Sequence, residues 1–311
     1  MDCIQNNSKT PVHVLVWGIG YDYTCIYNML KYEELKNNIY ISAMITTDTK
    51  PYQFIDGYPL ITPDEIDCYK YDCIIVTTGE YYNEVKSKIL SMNIKVPIIA
   101  GALFSKIPHF DFKDYWRLLC NIPSIIANRC HGGLLYHDFK LPFNSPFINS
   151  AITPKSFIDL LTNFDSFLES TLEITHNKTP TSFLEGKITT NTCDIPIIFP
   201  HDTKPTEVLE KWNRRFKRIN SDNLIIILFM DCDDYNLALR FSQLPFKTKY
   251  CLCSYDYNLP YVYNIHYDET NWKNHMDFWT YFHHILPSKM NGGTPPINWL
   301  SLLTGQPFMR Y

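Results

Sequence analysis

The ten cysteines of this 311-residue chain never form a Cys-x-x-Cys pair. The paired-thiolate signature of a zinc ribbon or a thioredoxin-like redox motif is therefore absent. One close pair, Cys251 and Cys253, would share a face of a strand, where it serves either a metal or as two small buried apolar side chains. Scattered thiols suit a reducing compartment. Long apolar runs are lacking too. The longest, Leu224–Met230, has seven residues, against the roughly twenty needed to cross a bilayer. The opening Met-Asp-Cys-Ile-Gln-Asn-Asn has no apolar signal-peptide core. A cytoplasmic protein without membrane insertion is expected. Nor is there an excess of basic charge: 28 Lys and Arg face 32 Asp and Glu, a net charge of -4. A nucleic-acid partner is not expected from that balance. There is no internal repeat and no low-complexity segment. What is present is a composition 45% hydrophobic and 19% charged, that of a globular protein long enough for two domains.

From residue 12 to 100, strands and helices alternate. Val12–Trp17 reads as a buried strand, broken by Gly18-Ile-Gly20. Tyr23, Ile26, Tyr27 and Leu30 then recur at helical spacing. Ile39–Ile45, Tyr58–Ile61, Cys73–Thr77 and Val96–Ala100 are further apolar strands. Nearly continuous apolar strands between helices imply a parallel sheet covered on both faces. The fold class is thus α/β: a Rossmann-like parallel sheet over residues 1–110, then a second, less regular α/β domain over 111–311. In that second part Thr153-Pro154 caps a helix carrying Phe157, Leu160, Leu161, Phe164 and Leu168. Residues 183–199 suggest a hairpin, Pro205–Arg218 a basic helix, and Asn223–Met230 a strand. Helices are expected over His275–Leu286 and Ile297–Leu303.

Gly18 and Gly20 stand between a strand and a helix, where a backbone can approach a pyrophosphate and the helix N-terminus offers free N–H groups. The third glycine of the dinucleotide fingerprint is replaced by Tyr23. Asp48, placed as a ribose-binding carboxylate, lies further on than the about 20 residues usual for that role. Both features weigh against hydride-transfer chemistry. The other reading is a scaffold whose glycines only make the turn. The phrases Val14-Leu-Val-Trp-Gly-Ile-Gly20, Asp56-Gly-Tyr-Pro-Leu-Ile61 and Tyr71-Asp-Cys-Ile-Ile-Val-Thr-Thr-Gly79 resemble the N-terminal module of bacterial nucleotide-sugar modifying enzymes, over about residues 11–100. That resemblance implies a nucleotide or nucleotide-sugar ligand, with Gly18, Gly20, Thr78 and Gly79 at the carboxyl ends of strands.

The densest chemical cluster is Ala127-Asn-Arg-Cys130-His131-Gly132-Gly133-Leu-Leu-Tyr136-His137. A cysteine beside a basic partner can act as a nucleophile, and glycines can present backbone N–H groups to an oxyanion. Cys130, His131 and His137 are the candidate catalytic residues. The alternative is a glycine turn between core elements, with the cysteine packed and the histidines hydrogen-bonded. This cluster and the phrase Leu141-Pro-Phe-Asn-Ser-Pro-Phe-Ile-Asn149, with Trp212-Asn-Arg-Arg-Phe-Lys-Arg-Ile-Asn220, resemble an uncharacterised bacterial family labelled exopolysaccharide-biosynthesis or acetyltransferase-like. The match covers about residues 125–255. Where that family has a glycine before Leu141, this chain has Lys140.

On the basic helix Arg214 and Arg215 are candidates for clamping a phosphate, while Glu207–Lys211 and Glu210–Arg214 spacings suit an ordinary solvated helix. Asp231-Cys-Asp233-Asp234 ends an apolar strand. Asp231 and Asp233 resemble the Asp-x-Asp phrase that holds a divalent metal in glycosyltransferases; Asp233 or Asp234 could equally cap the next helix. A divalent metal is not the expectation. His275, His283 and His284 lack a metal-ligand spacing and read as structural. The function that follows is surface-polysaccharide or glycan biosynthesis, by a protein that binds a sugar nucleotide and transfers a glycosyl or acyl group. The alternative is a non-catalytic nucleotide-binding regulatory or scaffold protein. The 22 tyrosines and 19 phenylalanines leave room for a homo-oligomer surface.

Overall fold

The computed structural model describes residues 10–47, 50, 52–175, 183–265, 278–287 and 297–308, the last-but-one stretch from Tyr281 on with side chains. The chain is α/β and falls into two compact units, Met1–Cys120 and Asn121–Tyr311.

In the first unit the elements run β1 (Val12–Trp17), α1 (Tyr21–Leu35), β2 (Ile39–Ile45), β3 (Phe54–Ile55), β4 (Tyr58–Ile61), β5 (Cys73–Val76), α2 (Tyr82–Ser91), β6 (Ile98–Ala100), α3 (Ala102–Lys106) and α4 (Phe112–Cys120). The sheet order is β3-β4-β2-β1-β5-β6, parallel except for the β3–β4 pair. Counting only parallel strands in chain order, this is 3-2-1-4-5, the order of a Rossmann half, which reverses direction between β1 and β5. The reasons are in the sequence. Residues 14–16 of β1 and 73–76 of β5 are buried throughout, as strands covered on both faces must be. Helix α1 lays Tyr23, Ile26 and Leu30 inward. A short 3-10 turn, Gly79–Tyr81, precedes α2. Helix α4 belongs to this unit, held by Phe104, Phe110 and Phe112 in ring contact and by Lys36–Asp111 at 2.7 Å.

The second unit runs β7 (Ser124–Ala127), α5 (His131–Asp138), α6 (Pro154–Thr162), α7 (Phe164–Leu168), β8 (Thr171–Thr175), β9 (Leu184–Thr189), β10 (Asp194–Phe199), α8 (Pro205–Phe216), β11 (Leu224–Met230), α9 (Tyr235–Gln243), β12 (Lys249–Cys253), β13 (Val262–Asn264), α10 (Phe278–His284) and α11 (Trp299–Leu303). A parallel sheet orders β13-β12-β11-β7, and an antiparallel one orders β10-β9-β8. The hairpin expected over 183–199 is β9–β10, and β8 extends it. Strand β11 separates two cores. Ile226, Leu228 and Met230 join Phe157, Leu160, Leu161, Phe167 and Trp212 in one cluster. On its other face, Phe229 meets the rings of His131 and Phe282. Cys251 and Cys253 are fully buried in the first cluster, as small apolar side chains.

Two local features differ from the sequence expectation, and a third gives the Lys140 departure its physical meaning. The helix after Thr153 is two helices. Thr153 caps the first by accepting from Ser156 N at 3.3 Å, but the chain breaks at Asn163, whose amide bonds back to Asp159 O at 3.1 Å. The second helix still buries Phe167 in the same core. The Cys-His-Gly-Gly segment is not an extended turn but opens α5. Gly132 sits in its first turn because a Cβ there would stand 2.9 Å from the Ala127 Cβ, so the glycine lets the helix lie on β7. Finally, Lys140 has a positive φ of 55°. It follows the α5 C-cap Phe139, with Lys140 N bonding His137 O at 3.2 Å and Leu141 N bonding Tyr136 O at 2.8 Å. That is a Schellman closure, whose left-handed position favours glycine. Lys140→Gly is therefore expected to raise stability by about 0.5–1 kcal/mol, relief of left-handed strain exceeding the entropy that glycine adds to the unfolded chain. Urea denaturation of the two proteins measures it, and a loss of stability would show that the lysine side chain holds the turn.

Candidate functional site

The glycine turn lies at the switch point of the first sheet. Gly18 N bonds Ile45 O at 3.0 Å, and Thr77 Oγ1 donates to Gly18 O at 2.8 Å, tying the ends of β2, β1 and β5 together. Gly18 has φ +110°, and a Cβ there would stand 2.7 Å from Thr78 Cγ2 and 2.9 Å from Thr77 Oγ1. The turn can be made by glycine alone. Gly20 is the N-cap of α1 and makes no side-chain cap; a Cβ there would meet nothing within 4 Å. The space beside the helix N-terminus is thus open. Thr78 Oγ1 is shielded from solvent and has no hydrogen-bond partner among the described residues, and the same is true of Trp17 Nε1 at the end of β1. Buried polar atoms are rarely left so. The structure therefore brings Gly18, Gly20, Thr78 and Gly79 together at the carboxyl ends of β1 and β5. Asp48 lies outside the described residues.

A second group forms at the carboxyl edge of the other parallel sheet. Asn128, just past β7, bridges to β11: its Oδ1 accepts from Phe229 N at 2.8 Å and its Nδ2 donates to Phe229 O at 3.1 Å. This side-chain pairing prolongs the β7–β11 register and sets the Arg129–His131 turn beside the Asp231–Asp234 turn. The Asp231 charge is felt at the Arg129 guanidinium, whose pKa burial lowers and Asp231 raises. Burial pushes the Cys130 thiol up, against a smaller opposing pull from its own backbone and from Arg129. Burial also drives His131 down to about 3, helped by the neighbouring His283 and Arg129 charges. His131 is only 4% exposed, its ring 4.8 Å from Phe229 and 6.4 Å from His283. Thiol and imidazole are both neutral near pH 7.

His131 makes stability depend on pH. Its folded pKa lies below the ordinary 6.5, so the unfolded chain binds the extra proton between those values. Stability is full above about 6.5 and is lost as pH falls toward about 3. His131→Phe, which keeps the ring contacts, is expected to lose about 2 kcal/mol less than the wild type between pH 7.5 and pH 5. Urea midpoints at the two pH values read this out; parallel losses would mean His131 does not titrate differently in the folded state.

His137, Arg214 and Arg215, also expected from sequence, lie away from this carboxyl edge. Tyr136, at the far end of α5, donates to Pro123 O and accepts from Ile125 N, both at 2.8 Å. That anchors the end of α5 at the start of β7, so His137 stands at the amino edge of the sheet, exposed beside Asp138 at 3.6 Å. Arg215 lies over the Phe143 ring at 5.1 Å, and Arg218 donates to Phe143 O at 3.3 Å. The turn after α8 reaches the same edge, Asn220 N bonding Ser124 Oγ at 2.8 Å. Arg214 and Arg215 belong to the last turn of α8. Lys211 pairs with Glu207 at 3.6 Å and with Asp202 at 3.0 Å. Asp234 caps α9 by accepting from Leu237 N at 3.0 Å, and Asp233 accepts from Tyr257 at 2.7 Å. Among the described residues no group of three or more His, Cys, Asp or Glu is placed to hold a metal ion. His275 lies outside the described residues. Among those described, no helix is long and apolar enough to cross a membrane.

The chain is thus a two-unit α/β protein: a Rossmann-ordered sheet with Gly18 and Gly20 at its switch point, and a second parallel sheet with a charged carboxyl edge. Residues 103–301 match the family described as a domain of unknown function, DUF1919, and the chain belongs to that family. Residues 11–99 match a C2185-like N-terminal domain. An uncharacterised protein of Haemophilus influenzae is 37% identical over 129 residues, which are 40% of this chain and 59% of that relative. The match thus spans less than two thirds of the relative's length.

Proposed function

We propose that the chain binds a nucleotide or nucleotide sugar at the crevice between β1 and β5, in the service of surface-polysaccharide or other glycan biosynthesis. The observation that carries this reading is the switch point itself: a glycine-only turn at Gly18, open space at Gly20, and a Thr78 hydroxyl without a partner. Ligands of open α/β sheets lie at that place. The ligand would stabilise the first unit by mass action. Titration calorimetry of the full chain with UDP-, GDP- and CDP-sugars tests it. Heat with at least one of them is expected; no binding by any would overturn the reading.

A catalytic form of this reading adds transfer of a glycosyl or acyl group, with Cys130 and His131 of the second unit as reacting and orienting residues. Binding without chemistry is a second reading, and one observation favours it. An imidazole that holds its proton only below about pH 3 is a poor base toward a thiol whose own pKa burial raises. Mass spectrometry of the sugar nucleotide after incubation with acceptor glycans separates the two. Turnover lost in Cys130→Ser supports transfer; binding with an intact ligand supports the second reading.

A further inference from the structure

The crevice holds a carboxylate where a phosphate-binding turn needs positive charge. Asp22 stands in the first turn of α1. It reaches across to the turn after β5: a Cβ built on Gly79 would lie 2.5 Å from its Oδ2 and 3.2 Å from its Oδ1. Its negative charge already complements the positive end of the helix, so the backbone N–H groups there have less to offer a second anion. Among the described residues Asp22 takes part in no ion pair that would neutralise it. One residue before Gly79 the Thr78 hydroxyl is buried and without a partner among the described residues, and the space at Gly20 is open. What this edge offers is therefore an acceptor carboxylate, which matches hydrogen-bond donors and repels phosphate oxygens.

Resting on the nucleotide reading above, we infer that Asp22 determines what enters the crevice: it receives the neighbouring hydroxyls of a sugar ring, and the phosphates of the ligand lie away from the α1 N-terminus. The ring is the ribose of the nucleoside or the hexose attached to it. Both present the same vicinal diol, so the chemistry assigned to Asp22 is the same in either case. A carboxylate accepts two hydroxyl protons side by side, and such charge-assisted bonds are the strong ones. The usual arrangement in this fold, with the pyrophosphate on the first helix N-terminus, is reversed.

The test is calorimetry on the full chain with uridine, guanosine, cytidine and adenosine, their 2′,3′-dideoxy forms, their 5′-diphosphates, and free glucose, galactose and mannose. Asp22→Asn and Asp22→Glu are compared with the wild type, their folding checked by urea denaturation. The wild type is expected to bind a nucleoside or a hexose about as tightly as the diphosphate. Asp22→Asn should weaken that neutral ligand about tenfold, the value of one hydrogen bond to a charged group, and should tighten the diphosphate. Asp22→Glu should retain the wild-type order. Loss of binding on dideoxygenation identifies the ribose; binding of a free hexose identifies the other ring. A diphosphate that binds while Asp22→Asn leaves every neutral ligand unchanged would overturn this inference and leave nucleotide binding intact. If none of the compounds binds any of the three proteins, the nucleotide reading falls and this one with it.

Discussion

Gly18→Ala is expected to cost the first unit about 3 kcal/mol of stability and to abolish ligand binding at the crevice. Two effects add. A side chain at φ +110° is strained by about 1–3 kcal/mol. Its Cβ would also stand 2.7 Å from Thr78 Cγ2 and 3.1 Å from Thr77 O, an overpacking that costs another 1–3 kcal/mol or so. Relief is blocked because Thr77 is fixed on the far side, its hydroxyl bonding Trp17 O at 3.1 Å and Gly18 O at 2.8 Å. Any movement of Thr78 also shifts its buried, unpartnered hydroxyl at the end of β5. Urea denaturation followed with titration calorimetry reads both parts. A loss under about 1 kcal/mol would mean the turn relaxes without strain, and unchanged affinity would remove Gly18 from the binding surface.

Asn128→Leu is expected to destabilise the second unit by about 3–4 kcal/mol, the value of stranding two buried backbone groups. Asn128 is completely buried. Its amide satisfies both the N–H and the C=O of Phe229, and a longer contact at 3.4 Å reaches Ile152 O. Leucine is close to asparagine in size, so little cavity is opened; the cost is the unpaired Phe229 amide and carbonyl. The change should also blur the Arg129–His131 edge, since the residue that joins β7 to β11 there is gone. Urea denaturation measures the first effect. Hydrogen exchange at the Phe229 amide measures the second, and protection equal to wild type would show that water or a neighbour replaces the bridge.

The first sheet is legible in sequence because its strands are near-continuous apolar runs separated by turn residues, so strand identity and parallel pairing follow together. The second unit is harder for identifiable reasons. Strand β7 is four residues, Ser124–Ala127, too short to show a period, and its partner β11 is separated from it by three helices, a three-stranded sheet and α8. Arg129 and Asp231 therefore look like parts of two unrelated motifs, and only the strand order joins them. His137 misleads in the opposite way. It is six residues from His131, but six residues of helix are about 9 Å of rise, which carries it toward the other edge of the sheet. The glycine pair of α5 reads as a flexible loop because packing, not φ, is what requires Gly132. Asp22 has a signal that was available: a carboxylate two residues after Gly20 is a mismatch with phosphate binding that the glycines alone do not reveal. Lys140 was legible through its departure from the resembled family's glycine, and its left-handed backbone gives that departure a physical meaning.

The Asn128–Phe229 bridge spans 101 residues of chain. Made at about 5–20 residues per second, that stretch takes about 5–20 s of synthesis. Throughout it, β7 and the helix N-terminus carrying Cys130 have no β11 to pair with, while the elements encoded between them already emerge. The charged edge around Arg129 and Asp231 thus cannot close until β11 has been made, and β7 waits for that neighbour through the synthesis of seven intervening elements.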